Sequence, residues 1–353
     1  MAGRIVIPED LYGYPIKGID SRAFMGAEEL TTIVIPASIT SIGSKAFYGC
    51  LNLQVIEWNT TAPLEEASFE EPERHNNLLI YVKDPTTKVT YKGNVVVDGV
   101  AEQITLYDGI PLCNTRDFTA RSVKFTREFT KKTQIGVAGG WEALVLPFDV
   151  QTVTSETRGL LKPFGQADFD KSLPYWVAEF QSDGSFAYVE TIKANTPFIM
   201  EVPNSDEYQD IYNVEGNITF SSENVTVHST MNISEPTGNG YTLQGSYEGV
   251  SSDSRVYALN DEEYTLEDGS VSLAGSVFVA DARDILPFEA YIYGNQVSRA
   301  SYMRISGKNG TGLNAVVLDA SDDSWYTLQG VRLNGRPQEK GLYIYKNQVV
   351  YVK

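Results

Sequence analysis

The feature that most constrains this chain is a repeat near its N-terminus. Residues 23–30 read AFMGAEEL and residues 46–53 read AFYGCLNL, so Ala, Phe, Gly and Leu recur at a spacing of 23. The match extends upstream, because IVIP at 33–36 has IEWN in the same place at 56–59 and IVIP at 5–8 before it, where the spacing is 28 because the first unit is five residues longer. A fixed period of this length indicates that similar units are stacked side by side.

Each unit combines a short strand with a return segment. Alternate strand residues such as Ile33 and Ile35 should point inward, and the return segment should bury Phe47 between Phe24 and Phe69. A period of 23 with this pattern predicts a solenoid of the leucine-rich-repeat type, with two clear units and a degenerate third at 56–69. Because solenoids generally need three or more units, we expect the segment that follows to cap this array.

The block resembles the leucine-rich repeats of BspA-like surface proteins, whose units carry the pattern IP…I…AF.GC..L. The tripeptide Gly13-Tyr14-Pro15 matches the GYP that precedes the repeat in that family, and the resemblance covers residues 4 to about 83. It implies a cell-surface or secreted bacterial protein. It also implies the family's commonest association, which is adhesion to host or matrix components.

Two groups of residues are candidates for ligand contact. Val34 and Glu57 occupy outward strand positions, so they either line a ligand-binding concave face or lie on a surface that the neighbouring domain covers; the second interpretation is favoured. Tyr12 and Tyr14 lie in the longer loop of the first unit and are the better candidates for exposed aromatic contacts.

The pattern of residues 84–306 predicts an antiparallel β-sandwich. Short segments in which apolar and polar residues alternate are separated by Gly, Asn, Asp and Pro, and no sustained helical periodicity occurs. The segments DFTARSVKFTREF, GWEALVLPFDV, KANTPFIMEV and LPFEAYI resemble a β-rich module of secreted Bacteroidetes proteins, over most of residues 104–300. That resemblance implies no catalytic activity. The predicted strands are 120–129, 141–149, 174–180, 185–193, 197–203, 217–220, 224–228, 241–247, 254–259, 276–280 and 288–298.

The C-terminal region is predicted to be a polar linker at 307–324 followed by a basic β-hairpin at 325–353. The hairpin carries five basic residues and one acidic residue, a net charge of 5 − 1 = +4. With YTLQGVR at 326–332, GLYI at 341–344 and VVYVK at 349–353, it resembles the Y.LQG.R…GLYI…VVVK C-terminal element of exported Bacteroidetes proteins, which in some lineages is a sorting signal. That resemblance implies contact with export machinery, although simple docking of the hairpin on the sandwich accounts for the pattern equally well.

Composition excludes several classes of function. A net charge of −18 disfavours nucleic acid and anionic lipid as partners. The two histidines, His75 and His228, and the two cysteines, Cys50 and Cys113, are isolated in sequence, so we predict no metal site, cofactor or catalytic triad. No run of 18 apolar residues occurs, and residues 1–11 lack the basic stretch and apolar segment typical of a signal peptide. We therefore expect either a cytoplasmic protein or a mature fragment whose export leader was removed.

Together these patterns predict a mainly β protein with a short solenoid over 1–83. The predicted function is a non-enzymatic, adhesin-like binding protein, extracellular or on the outer cell surface, that contacts an extracellular protein or glycan. Two alternatives remain at this point. The chain could be a structural or stalk module without its own ligand, or a glycoside hydrolase that uses two close carboxylates.

Overall fold

The protein forms two compact units in a computed structural model that describes residues 3–69, 77–134, 138–168, 170–205, 210–266, 269–294, 302–305, 325–327, 332–333, 335–338, 340–345 and 348–352. The first unit comprises Met1–Phe125, Pro147–Asp149 and Ser221–Asn232, and the second comprises Thr126–Leu146, Val150–Phe220 and Ile233–Lys353. Strands dominate the described residues, which include no α-helix. The chain is therefore mainly β, as its sequence predicts.

The first unit is built on a stack of parallel strands. These strands, in order, are Arg4–Val6, Thr32–Ile35, Val55–Trp58, Leu79–Val82 and Asn94–Val97. Their register pairs Ile5 with Ile33 and Ile33 with Ile56, which confirms the alignment of the repeats. The stack extends past residue 83, the predicted end of the array, because Asn94–Val97 adds a further strand in register.

The interior of the stack is apolar and closely packed. Ile33, Ile35 and Trp58 are fully buried, as alternation along the strands predicts. On the return side, Phe47 lies 5.8 Å from the Phe24 ring at an interplanar angle of 4°, and 5.4 Å from the Phe69 ring. The predicted ladder of stacked rings is therefore present.

Glycine in the repeated AF.G motif has a backbone role. Gly26 and Gly49 adopt φ values of 69° and 71°, which a residue with a side chain adopts only at a cost. Backbone bonds then connect adjacent coils, since the Phe24 amide donates to the Ala46 carbonyl oxygen over 2.9 Å and the Gly26 amide donates to that of Tyr48 over 2.8 Å. These glycines thus allow each coil to turn while its backbone stays paired to the next.

The remaining elements of the first unit are short. They are the strands Asp10–Leu11, Tyr14–Pro15, Gly18–Ile19, Ser41–Ile42, Val100–Ala101 and Ile104–Tyr107 and the 3-10 helix Glu66–Ser68. Two long strands, Phe118–Glu128 and Asn217–Val227, contribute residues to both units. The second of these is a single strand where the sequence predicts two, at 217–220 and 224–228.

The second unit contains a sheet that is mixed rather than wholly antiparallel. Gly159–Pro163 pairs in parallel with Leu173–Phe180, because the chain between them returns through the 3-10 helix Phe164–Gln166. This corrects the expectation of an antiparallel sheet throughout, and the sandwich arrangement itself stays a prediction. The other elements of this unit are the strands Glu142–Leu144, Thr152–Ser155, Phe186–Tyr188, Phe198–Glu201, Thr237–Gly238, Tyr241–Ser246, Val256–Leu259, Tyr264–Thr265, Val271–Ser272, Val277–Ala280, Glu289–Gly294 and Tyr302–Arg304 and the 3-10 helix Asp210–Tyr212.

A network of charged side chains lies within the second unit. The Lys131 ammonium lies 2.7 Å from a Glu142 carboxylate oxygen and 3.1 Å from one of Asp261, and both Lys131 and Glu142 are buried. Arg283 connects Asp261 to Glu289, with its Nη1 atom 2.7 Å from Glu289 Oε2. Both Lys131 and Glu142 therefore have an opposite charge within hydrogen-bond distance.

The described part of the C-terminal region forms four antiparallel strands. Across the sheet their order is Arg332–Leu333, Trp325–Thr327, Gly341–Tyr345 and Gln348–Val352. The predicted linker at 307–324 lies outside the described residues. The sorting role of the hairpin stays a prediction.

Candidate functional site

The outer face of the parallel stack holds two of the sequence-predicted contact residues side by side. In register, Val6 pairs with Val34, Val34 with Glu57, and Glu57 with Tyr81. Exposure falls along this row, from 53% at Val6 to 5% at Tyr81. The outward face is therefore accessible at its first strand and closed near the fourth.

Residues 114–118 cover the closed part of this face. Arg116 forms an ion pair with Glu57, and its guanidinium carbon lies 4.4 Å from the centroid of the Tyr81 ring. Phe118 meets the same ring edge-on at 6.3 Å, and the Tyr81 hydroxyl donates to Asn114 Oδ1 over 2.5 Å. Burial raises the pKa of Tyr81 well above its usual value. Glu57 is therefore engaged by residues of the first unit itself, whereas the interpretation favoured from sequence is a surface covered by the neighbouring domain.

A small cleft remains beside this cover. It has a volume of about 390 Å³, and Glu57, Lys83, Asp98, Arg116 and Asp117 contribute its charged side chains. Asp117 accepts hydrogen bonds from the Ser229 amide over 2.7 Å and from His228 Nδ1 at 3.0 Å. The Ser229 amide is the main reason that the pKa of Asp117 lies below its usual value.

Tyr12 and Tyr14 lie in a hairpin of the first coil, apart from the row that contains Val34 and Glu57. Strands Asp10–Leu11 and Tyr14–Pro15 pair across the two-residue turn Tyr12-Gly13. Both turn residues have positive φ, 55° and 82°, as a type I′ turn requires. Tyr12 is 92% exposed and Tyr14 78% exposed, so the turn presents both rings to solvent.

The backbone at Tyr12 is strained for that residue type. A type I′ turn favours Asn, Asp or Gly at this position, and a residue with a larger side chain in the left-handed region costs about 1–2 kcal/mol. Burial does not offset this cost, because the Tyr12 side chain lies in solvent. Strained residues of this kind are concentrated at functional sites.

A second and larger cleft lies at the other end of the stack, where the sequence pattern identifies no site. Its volume is about 790 Å³, and its floor includes Phe69, Tyr91, Val95 and Val97. The Tyr91 ring lies 4.5 Å from the Phe69 ring and extends the ladder by one position. The signal in the sequence is Thr90-Tyr91-Lys92-Gly93, which repeats the AF.G pattern with Thr for Ala and Tyr for Phe.

The described residues contain no cluster of three or more His, Cys, Asp or Glu placed to hold a metal ion. Cys50 is buried and Cys113 partly buried, and neither forms a disulfide bond. Among the same residues, no helix combines the length and apolar character needed to cross a membrane. His75 lies outside the described residues.

The parallel register, the stacked rings and the repeated glycine turns are the features of a leucine-rich-repeat array. Residues 5–87 match the family model described as BspA type Leucine rich repeat region (6 copies). This BspA-type segment lies within the first unit. No curated protein and no solved structure matches the chain. The family model therefore supports the BspA-like repeat segment at residues 5–87, and the resemblances of the later segments stay predictions.

Proposed function

We propose that this chain is a non-enzymatic, adhesin-like binding protein, secreted or held at the outer cell surface, which contacts a host or matrix protein through the Tyr12-Tyr14 hairpin. Proteins with BspA-type repeats are commonly surface proteins associated with adhesion. That association supports the location and the general role. The choice of the Tyr12-Tyr14 hairpin as the contact surface is supported by the residues of this chain and not by the family association.

The observation that carries the proposal is the Tyr12 side chain, which is exposed although its backbone conformation is costly. Tyr is enriched at the energetic centres of protein interfaces, because it offers a large rigid surface and a hydroxyl group. Leu11 and Tyr14 in the same hairpin, and Val6 on the first strand, add exposed apolar surface within this coil. A protein partner would bury this surface and compensate for the strain at Tyr12.

The test compares Tyr12→Asn with the unmodified protein for binding to immobilised fibronectin, laminin and collagen and to host cells. Asn tolerates the left-handed backbone, so this variant removes the ring and preserves the turn. We expect binding to at least one of these targets and a loss of tenfold or more in Tyr12→Asn. Leu51→Ser is the matched control, because Leu51 is a 65% exposed apolar residue of a later coil.

The thermal stability of Tyr12→Asn should equal or exceed that of the unmodified protein, which separates loss of binding from loss of folding. Absence of binding to every target, or equal affinities for Tyr12→Asn and the unmodified chain, would refute the hairpin as the contact surface. Assembly into long polymers without binding would favour the structural or stalk alternative. Cleavage of an oligosaccharide would favour the hydrolase alternative.

A further inference from the structure

The cleft at the fifth strand of the stack opens onto the interior of the solenoid. Val95 and Val97 belong to the last parallel strand, and with Tyr91 they pack against the main core while remaining only partly buried. The end of a solenoid exposes core residues in this way unless a capping element covers them. Here the strands Val100–Ala101 and Ile104–Tyr107 follow the stack, and a volume of about 790 Å³ remains open between the cleft's lining residues.

The exposed rim of the cleft consists of polar side chains whose charges cancel. These residues are Glu66, Lys92, Glu102, Gln103 and Arg121. Lys92 and Arg121 contribute +2, and Glu66 and Glu102 contribute −2, so these side chains sum to zero. Arg121 Nε lies 2.9 Å from Glu102 Oε1, and the Glu66 carboxylate accepts a hydrogen bond from the Lys92 amide over 3.1 Å. Gln103 adds an uncharged donor and acceptor to the same rim.

This division between floor and rim restricts the chemistry of a ligand. Clefts of about 300–1,000 Å³ with an apolar floor and a few polar groups are typical of small-molecule sites. A lipid chain would desolvate the charged rim without hydrogen bonds in return, and an anion would gain no net attraction from side chains whose charges sum to zero. A sugar ring has an apolar C–H face that can lie on an aromatic ring, and its hydroxyl groups both donate and accept hydrogen bonds.

From this geometry we infer that the cleft binds a neutral saccharide, with Tyr91 as the aromatic surface and Glu102, Gln103 and Arg121 as hydrogen-bonding partners of the hydroxyl groups. The site is separate from the Tyr12-Tyr14 hairpin, and saccharide binding here does not depend on the function proposed for that hairpin.

The absence of a side chain at Gly93 leaves room for the Tyr91 ring in this position. A Cβ atom at residue 93 would overlap the ring atoms and the hydroxyl oxygen of Tyr91. The φ angle of Gly93 is not in the left-handed region, so alanine at this position would act through contact with the ring and not through backbone strain. Gly93→Ala therefore changes the aromatic surface without removing its ring.

The experiment applies the full chain to a printed array of neutral, sulfated and sialylated oligosaccharides, followed by titration calorimetry with the neutral oligosaccharide that gives the strongest signal. We expect binding to neutral oligosaccharides. Tyr91→Ala should weaken it tenfold or more and Gly93→Ala severalfold. Leu51→Ser and Tyr12→Asn should leave it unchanged, because both residues lie outside the cleft lining.

A second variant keeps the proposal testable if Tyr91→Ala fails to fold. Glu102→Gln combined with Arg121→Gln changes only exposed side chains, and should weaken binding threefold to tenfold while the melting temperature stays within a few degrees. No binding to the array, binding to sulfated or sialylated oligosaccharides only, or affinity unaffected by both the Tyr91 and the Glu102/Arg121 variants would overturn the assignment.

Discussion

Phe47 is the residue whose removal should damage the repeat array most clearly. Its side chain is fully buried, which corresponds to about 1.5–3 kcal/mol of transfer free energy. It also stacks on Phe24 and Phe69, and each aromatic contact contributes about 0.5–1.5 kcal/mol beyond burial. These contributions overlap, so Phe47→Ala should reduce the free energy of unfolding by about 3–5 kcal/mol, as measured for buried Phe→Ala substitutions.

Hydrogen exchange followed by mass spectrometry is the suitable assay, because it reports separately on the two units. Peptides covering the second to fourth strands of the stack should lose protection equivalent to about 3–5 kcal/mol, if they exchange through unfolding of the array. Peptides from the second unit, such as those covering Leu173–Phe180, should change little. Phe47→Leu is the control, since it retains most of the apolar volume but loses both ring contacts, and should cost about 1–3 kcal/mol.

Two results would contradict the contributions of burial and stacking assigned to Phe47. A loss below about 1 kcal/mol in Phe47→Ala would mean that the coils collapse around the missing ring, so that the rings do not set the spacing of the stack. Equal losses in Phe47→Leu and Phe47→Ala would mean that ring stacking dominates over apolar volume. In either case the assigned contributions of burial and stacking would be wrong.

Three further predictions concern charged groups. Lys131→Met should destabilise the second unit by about 3–5 kcal/mol in urea unfolding, because it leaves Glu142 buried without its cation; Lys131→Met with Glu142→Leu should recover most of that loss. The pKa of Asp117 is lowered from 3.8 in the folded state, so its carboxylate stabilises the fold above that pH and the contribution is lost as pH falls through the folded pKa. The stability difference between Asp117→Asn and the unmodified chain should therefore shrink as pH falls from neutral to below the folded pKa. Arg116→Ala should cost about 1 kcal/mol of first-unit stability by urea unfolding, because a half-exposed cation is removed from the Tyr81 ring.

The sequence predicts the local geometry of the array well, because the same period aligns both the strands and the return segments of successive units. The register between Ile33 and Ile56 and the contact between Phe24 and Phe47 both follow from one period of 23 residues. Tyr91 occupies the fourth ring position but lies outside the predicted array, since Tyr replaces Phe and Thr replaces Ala there. The interior accepts either aromatic ring, so the stack of rings continues past the exact copies of the AF.G motif.

Contacts between distant segments are the part that the sequence does not predict. Arg116 reaches Glu57 across 59 residues, and no local pattern marks either residue as a member of an ion pair. Lys131, Glu142 and Arg283 likewise come together only because separate strands and loops converge. The repeat pattern therefore identifies Glu57 as an outward position but cannot show that it is covered.

The covering of the outer face determines where this array can bind. Without Arg116 and Phe118, the row from Val34 to Tyr81 would be an open surface of the kind repeat arrays use for ligands. With those residues in place, the two proposed contact surfaces are the hairpin of the first coil and the cleft at the last strand. The first and fifth strands are separated by four inter-strand steps of about 4.8 Å, or roughly 19 Å. That separation exceeds the range over which substitutions usually couple, so variants at the two ends report on independent sites and one can fail without the other.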